Sequence, residues 1–167
     1  MIVGRYQRYM ETEDDILVRT VCLEIYERLG GASIFSLPWV PQVVGIIEAA
    51  QGVIDNGGFI YFFEQDWIDQ PPYSVFGKAF RAIGADECAD CIEVAASLFP
   101  FPDPQRKWEA RREYMISNCM IGDRVNYDSI LVKLGDRVID HSDTNYALLA
   151  LYIRQHLDEI RSLAKGS

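Results

Sequence analysis

Val43-Val44-Gly45-Ile46-Ile47-Glu48-Ala49-Ala50-Gln51-Gly52-Val53-Ile54-Asp55-Asn56-Gly57-Gly58 is the stretch on which the fold class turns. Val43, Ile46, Ile47, Ala50 and Ile54 recur three and four apart, which lays one apolar stripe along a helix; a strand would need strict alternation. Asn56-Gly57-Gly58 stops the stripe with a residue able to take positive φ. Upstream, Ser36 and Pro38 form a start signal, and Pro41 falls in the first turn, where a missing N–H is tolerated. Downstream, Phe59 to Phe63 is a compact aromatic patch, most simply a short buried helix.

Both flanks repeat this pattern. Thr12 is placed to cap a first helix with Glu13, Asp14 and Asp15 in its opening turn, where the helix dipole favours carboxylates. Ile16, Leu17, Val21, Ile25 and Leu29 give its stripe, and Gly30-Gly31 its stop. After a Gln70-Pro71-Pro72 loop, Val75, Phe76, Ala79, Phe80 and Ile83 predict another helix ending at Gly84. Asp86 then caps a helix to Phe99, which Pro100-Phe101-Pro102 breaks. Asp103-Pro104 restarts the chain into a helix carrying Trp108, Tyr114, Met115 and Met120. Residues Tyr127 to Ile139 fit a further helix through Ile130, Leu131, Leu134 and Val138. Asp143 or Thr144 caps the last one, apolar all round at first and amphipathic later through Leu157, Ile160 and Leu163. No strand alternation of useful length and no repeat period occurs. The expected fold is all-α, a single compact multi-helix domain over residues 1–167.

Composition narrows the function. The 167 residues hold 25 acids against 16 Lys and Arg, a net charge of −9, and 49% are hydrophobic. So apolar a chain offsets the entropy of ordering and is not disordered. So acidic a chain lacks the basic footprint that duplex DNA or an anionic membrane requires of a direct partner. The longest purely apolar run, Ala147 to Ile153, is seven residues, far short of the roughly 20 of a membrane span. The N-terminal residues show no apolar signal-peptide core. Cys22, Cys88, Cys91 and Cys119 read as free thiols of a reducing compartment, so a cytoplasmic protein is expected.

The acidity is uneven. Residues 1–100 carry 15 acids and 6 bases, whereas residues 101–167 carry 10 of each. Between Arg28 and Lys78 there is no base at all, while Glu48, Asp55, Glu64, Asp66 and Asp69 fall inside that window. On a helical wheel Asp86, Asp90 and Glu93 share one exposed face, opposite Cys88, Cys91, Ile92, Ala95, Leu98 and Phe99. Such a ridge suits an ordinary solvated helix and also an imitation of a phosphate backbone.

Other strings resolve into structure. Cys88-Ala89-Asp90-Cys91 spells CxxC, but a zinc site needs about four ligands and no second pair exists. Both thiols point to the expected core. Asp140-His141-Ser142-Asp143 places its groups adjacent in sequence, unlike a triad converging from separate segments, and a turn with a helix cap accounts for it. Arg106-Lys107 and Arg111-Arg112 interleave with Asp103, Glu109 and Glu113 and read as an ion-paired helix surface. No catalytic residue, metal ligand or cofactor site is expected.

One resemblance goes further. Ile47-Glu48-Ala49-Ala50 and Val53-Ile54-Asp55-Asn56-Gly57-Gly58-Phe59-Ile60-Tyr61-Phe62-Phe63 resemble the signature of the DNA-mimic protein family, an Asn-Gly-Gly-Phe followed closely by Gln-Tyr-Phe. Ala79-Phe80-Arg81-Ala82-Ile83-Gly84-Ala85 matches its Ile-Gly-Ala step. Tyr127-Asp128 with Leu131, then Tyr152-Ile153-Arg154 and Asp158-Glu159-Ile160, agree further on. The likeness spans roughly residues 40–160. It departs at Tyr61 and Phe62, where the family tends to carry Gln and Tyr. The resemblance implies an all-α fold, no catalysis and, in the characterised case, an acidic dimer occupying the DNA-binding surface of a transcription factor. The expected partner is a basic or DNA-binding protein, with a homodimer suggested by the family alone. Asp86, Asp90 and Glu93, with Glu64, Asp66 and Asp69 from the base-free window, are the candidate contacts, each standing in for a phosphate. The alternative is an immunity-type or other protein-interaction module that binds through a different surface.

Overall fold

The computed structural model describes residues 12–162. Among them are seven α-helices: α1 (Glu13–Leu29), α2 (Trp39–Glu64), α3 (Ser74–Ala82), α4 (Asp86–Ser97), α5 (Trp108–Cys119), α6 (Ile130–Asp140) and α7 (Ser142–Ser162). The fold is all-α, as the periodicity predicts. Helix α2 is its axis, packing on α1, α3, α5, α6 and α7, while α3 lies on α4 and α1 on α7. The stripe Val43, Ile46, Ile47, Ala50 and Ile54 is buried throughout.

Helix α1 starts as expected. Thr12 accepts the Asp15 N–H, and the Asp15 carboxylate accepts the Thr12 N–H in return, a closed capping box. Gly30 ends the helix in the left-handed conformation.

Five boundaries differ from the sequence reading. Asp86 is the first residue of α4, not its cap; Ala85 takes that position without a side-chain bond, and the helix closes at Ser97. Met120 leaves α5 to form a two-residue strand β1 (Met120–Ile121), paired antiparallel with β2 (Arg124–Val125) around Gly122 at φ 61°. A hairpin this short leaves no alternation to detect. Tyr127 lies outside α6, which begins only at Ile130. Helix α7 starts at Ser142, so Asp143 sits in its first turn, where the helix dipole favours a carboxylate.

At Asn56-Gly57-Gly58 the chain turns without leaving helix for long. Gly58 adopts φ 61°, ψ −154°, a region essentially reserved for glycine, and helix resumes to Glu64. The redirected turn drives Phe59, Phe62 and Phe63 into the core, where Phe62 meets Phe63, Phe76 and Trp67 with centroids 5.0, 5.1 and 5.5 Å apart. Gly135 of α6 permits the close approach, since a Cβ there would lie 2.6 Å from the Phe59 nitrogen. The two departures from the family pattern separate here: Phe62 is fully buried, whereas Tyr61 is half exposed with its ring laid against Gly57.

Candidate functional site

The ridge on α4 exists, but it is not bare. Arg81 of α3 reaches all three acids, with Asp90 at 2.6 Å, Glu93 at 2.8 Å and Asp86 at 3.7 Å. The close packing of α3 on α4 places the guanidinium among three mutually repelling carboxylates and leaves a net charge of −2 on the cluster. These pairs are well exposed, so they orient side chains more than they stabilise the fold. Next to them Glu87 pairs with Arg137 of α6 and lies 3.5 Å from His141.

The window without bases in sequence gains two from elsewhere. Arg111 of α5 is buried and donates from Nε to the Phe63 carbonyl at 2.9 Å, from Nη2 to the Gln65 carbonyl at 3.2 Å, and to the Pro104 carbonyl. It thereby satisfies the orphan carbonyls at the end of α2, where a helix dipole favours a cation. Trp108 Nε1–H donates to the Glu64 carbonyl at 3.2 Å. Arg112 lines the same groove as Glu64. Glu64, Asp66 and Asp69 are all exposed around this capped end.

This corrects the ion-paired reading of the basic stripe. Arg111 bonds main-chain carbonyls, Lys107 lies over the Phe101 ring and Arg112 over the Trp108 ring, 5.6 and 5.8 Å from the centroids. Among the described residues Asp103, Glu109 and Glu113 form no ion pair with them. The sequence shows a charge pattern; only the position of the end of α2 shows what needs the guanidinium.

A second acidic surface is assembled wholly by tertiary structure. Asp14 and Asp15 from the start of α1 and Asp143 from the start of α7 line one cleft together with Ser142 and Tyr146. Ser142 donates its hydroxyl to Asp55 of α2 at 2.7 Å, and Asp55 lines a neighbouring cleft with Asp136 of α6. Four helices therefore contribute five carboxylates to adjoining clefts, and no Lys or Arg is among the described lining residues of either. Arg154 pairs with Asp14 at 2.5 Å from outside.

The local electrostatics register this crowding. Partial burial raises the Asp55 carboxyl above its ordinary value; hydrogen bonds from Ser142 and Gln51 oppose that, and the Asp143 charge adds to it. Asp15 moves the other way, lowered by the Thr12 backbone and hydroxyl bonds of the capping box. A buried polar string holds Asp55 from behind: Gln51 donates to it at 2.7 Å, and Asn145 donates to Gln51 at 2.9 Å and to the Cys88 sulfur at 3.3 Å. The CxxC thiols are accordingly core groups. Both are buried, and desolvation raises both.

Of the six residues singled out from sequence, three are brought together around Arg81, and Glu64, Asp66 and Asp69 stay on the far end of α2. No local sequence pattern marks the surface across α1, α2, α6 and α7. Its acids lie up to 129 positions apart, from Asp14 to Asp143, and apart from the adjacent Asp14 and Asp15 they form no local cluster.

The chain is thus an all-α domain that bears acids from several helices and paired glycines at a turn of its central helix. A family model described as DMP19-like protein matches residues 36–156, and the chain belongs to this DNA-mimic family. None of the curated proteins and none of the solved structures compared with it matches.

Proposed function

We propose that this chain is a non-enzymatic acidic protein of the reducing cytoplasm that occupies the nucleic-acid-binding surface of a basic partner, such as a transcription regulator. The observation that carries the reading is the convergence of Asp14, Asp15, Asp55, Asp136 and Asp143 on adjoining clefts that no Lys or Arg lines among the described residues, with Arg154 paired to Asp14. A DNA-binding protein that engages about 6–10 phosphates presents a matching row of Lys and Arg. Asp86, Asp90 and Glu93 extend the candidate contacts, each able to exchange Arg81 for a partner's cation. Glu64, Asp66 and Asp69 add three more acids at the end of α2. Capture from the native cytoplasm tests the reading: the partner should be a basic DNA-binding protein, released by high salt and displaced by duplex DNA. Capture of no basic protein, or capture insensitive to salt, would overturn it.

A neighbouring face, which shares Val125 with the Asp55–Asp136 cleft, favours a protein contact of another kind. Tyr61, Ile116 and Val125 are exposed along a groove of about 430 Å3 beside the hairpin, and Ile121 and Tyr127 stand exposed nearby. Apolar patches of this sort mark interfaces. We assign this face to a second copy of the chain. Most of it belongs to residues 101–167, the electrically neutral third, so two chains of charge −9 meet there with least repulsion. Glu64 and Arg112 line the groove without an ion pair among the described residues, and a two-fold axis would let each meet the other across the interface. A heterologous occupant, as in an immunity-type module, is the competing outcome.

A further inference from the structure

Between α1 and α2 lies a cavity of about 270 Å3 that adjoins the acidic cleft of Asp14 and Asp143. Val18 and Cys22 form its buried floor and Leu23 its lip. Two tyrosines wall it. Tyr26 donates its hydroxyl to Glu48 Oε2 at 3.0 Å, while the Tyr146 hydroxyl has no hydrogen-bond partner among the described residues. Three charges line it: Glu48, Asp15 and Arg19, the last close enough to Asp15 to act on its carboxyl.

We infer that this cavity receives the side chain of an arginine or lysine from a basic partner, an organic cation on an apolar stem. An apolar floor suits the methylene stem, tyrosine faces suit the cation, and a part-buried carboxylate supplies the counter-charge. Glu48 forms no ion pair among the described residues, and its bond to Tyr26 occupies one oxygen and leaves the other. The surroundings already resist further negative charge. Cys22 is pushed up to about 12, first by burial and then by Glu48; Tyr26 is raised by the same two influences, and Tyr146 by burial, then Asp55 and then Glu48. A cation relieves that field.

The cavity also sits where such an anchor is useful. Asp15 and Tyr146 line both it and the acidic cleft of Asp14 and Asp143, so one inserted side chain would fix the register of a basic surface laid across those acids. The inference deepens the proposed function and rests on a basic partner, but its test needs none. Butylguanidinium and butylammonium are titrated into the whole protein and followed by amide NMR, with n-butanol as the neutral control. The cations should bind saturably at millimolar concentration, with shifts centred on Val18, Leu23 and Tyr146. Glu48→Gln should weaken them at least about 3-fold and Tyr146→Phe about 2-fold, and Leu23→Lys, which supplies a cation from within, should abolish binding. Shifts elsewhere, equal binding of n-butanol, or an unaffected Glu48→Gln would overturn the assignment. If the cations bind as expected while the capture experiment fails, the cavity stands and the mimicry falls.

Discussion

The Arg111 Nε–H points at the Phe63 carbonyl from 2.9 Å, which ties the start of α5 to the end of α2. Arg111→Leu removes the donor for three carbonyls at once and should cost about 3 kcal/mol, because buried unpaired acceptors retain their desolvation penalty. Arg111→Lys keeps the charge but lacks the fork, and should lose about 1–2 kcal/mol. Urea unfolding measures both. A loss below about 1 kcal/mol for Arg111→Leu would mean that the guanidinium is not what closes α2.

Two glycines of α2 should respond in opposite directions. Gly58 holds φ 61°, ψ −154°, so Gly58→Ala should destabilise by about 1–3 kcal/mol. Gly52 is in regular helix with nothing near its missing Cβ, and Gly52→Ala should gain up to about 1 kcal/mol. Thermal or urea denaturation of the pair separates backbone strain from any general intolerance of the segment.

The pH dependence of stability should show opposite signs at two carboxyls. Asp55 is raised in the folded state, so the fold binds its proton more tightly than the unfolded chain does. Stability from this group is therefore present below the ordinary carboxyl range and lost as pH rises through the folded value. Relative to Asp55→Asn, the wild type should lose stability between about pH 4 and neutrality. Asp15 is lowered, so its contribution is present above the ordinary range and lost as pH falls through the folded value. A wild type that gains on Asp55→Asn as pH rises would show that the hydrogen bonds from Ser142 and Gln51 outweigh burial.

Arg81→Gln bares Asp86, Asp90 and Glu93 without removing a core group. If the ridge meets the partner, this variant should bind a basic DNA-binding protein several-fold more tightly at low salt, with a steeper salt dependence. Asp90→Asn should act in the reverse sense. Unchanged affinity in both would confine the contact to the other acidic surface.

Light scattering of the wild type should give a dimer mass, and Ile116→Asp or Tyr127→Asp should give a monomer with its helical circular dichroism intact. A monomeric wild type would leave the hairpin face to a different protein.

The fold was largely legible before any tertiary information. Stripes at Val43 to Ile54 and Val75 to Ile83, the capping residues at Thr12 and the stop at Gly30 all depend on neighbours within one or two turns, and local sequence reports those. Even the burial of Cys88 and Cys91 follows from the wheel. The hairpin at Met120–Val125 escaped because two-residue strands have no period. The start of α4 escaped because Asp86, though a good capping residue, is preceded by an Ala85 that takes the position on geometry alone.

Charge was read differently at the two levels. Sequence by itself determined how many acids there are, that their excess lies in the first 100 residues, and that Asp86, Asp90 and Glu93 share a helix face. Only the tertiary structure decided that Arg81 sits among those three, that Arg111 serves the carbonyls of Phe63 and Gln65, and that Asp14, Asp55, Asp136 and Asp143 come together from four helices. The physical reason is range. Helix formation and amphipathic burial are set over a few residues, whereas the field at a surface is the sum over whatever charges packing brings within several ångströms, however distant in the chain.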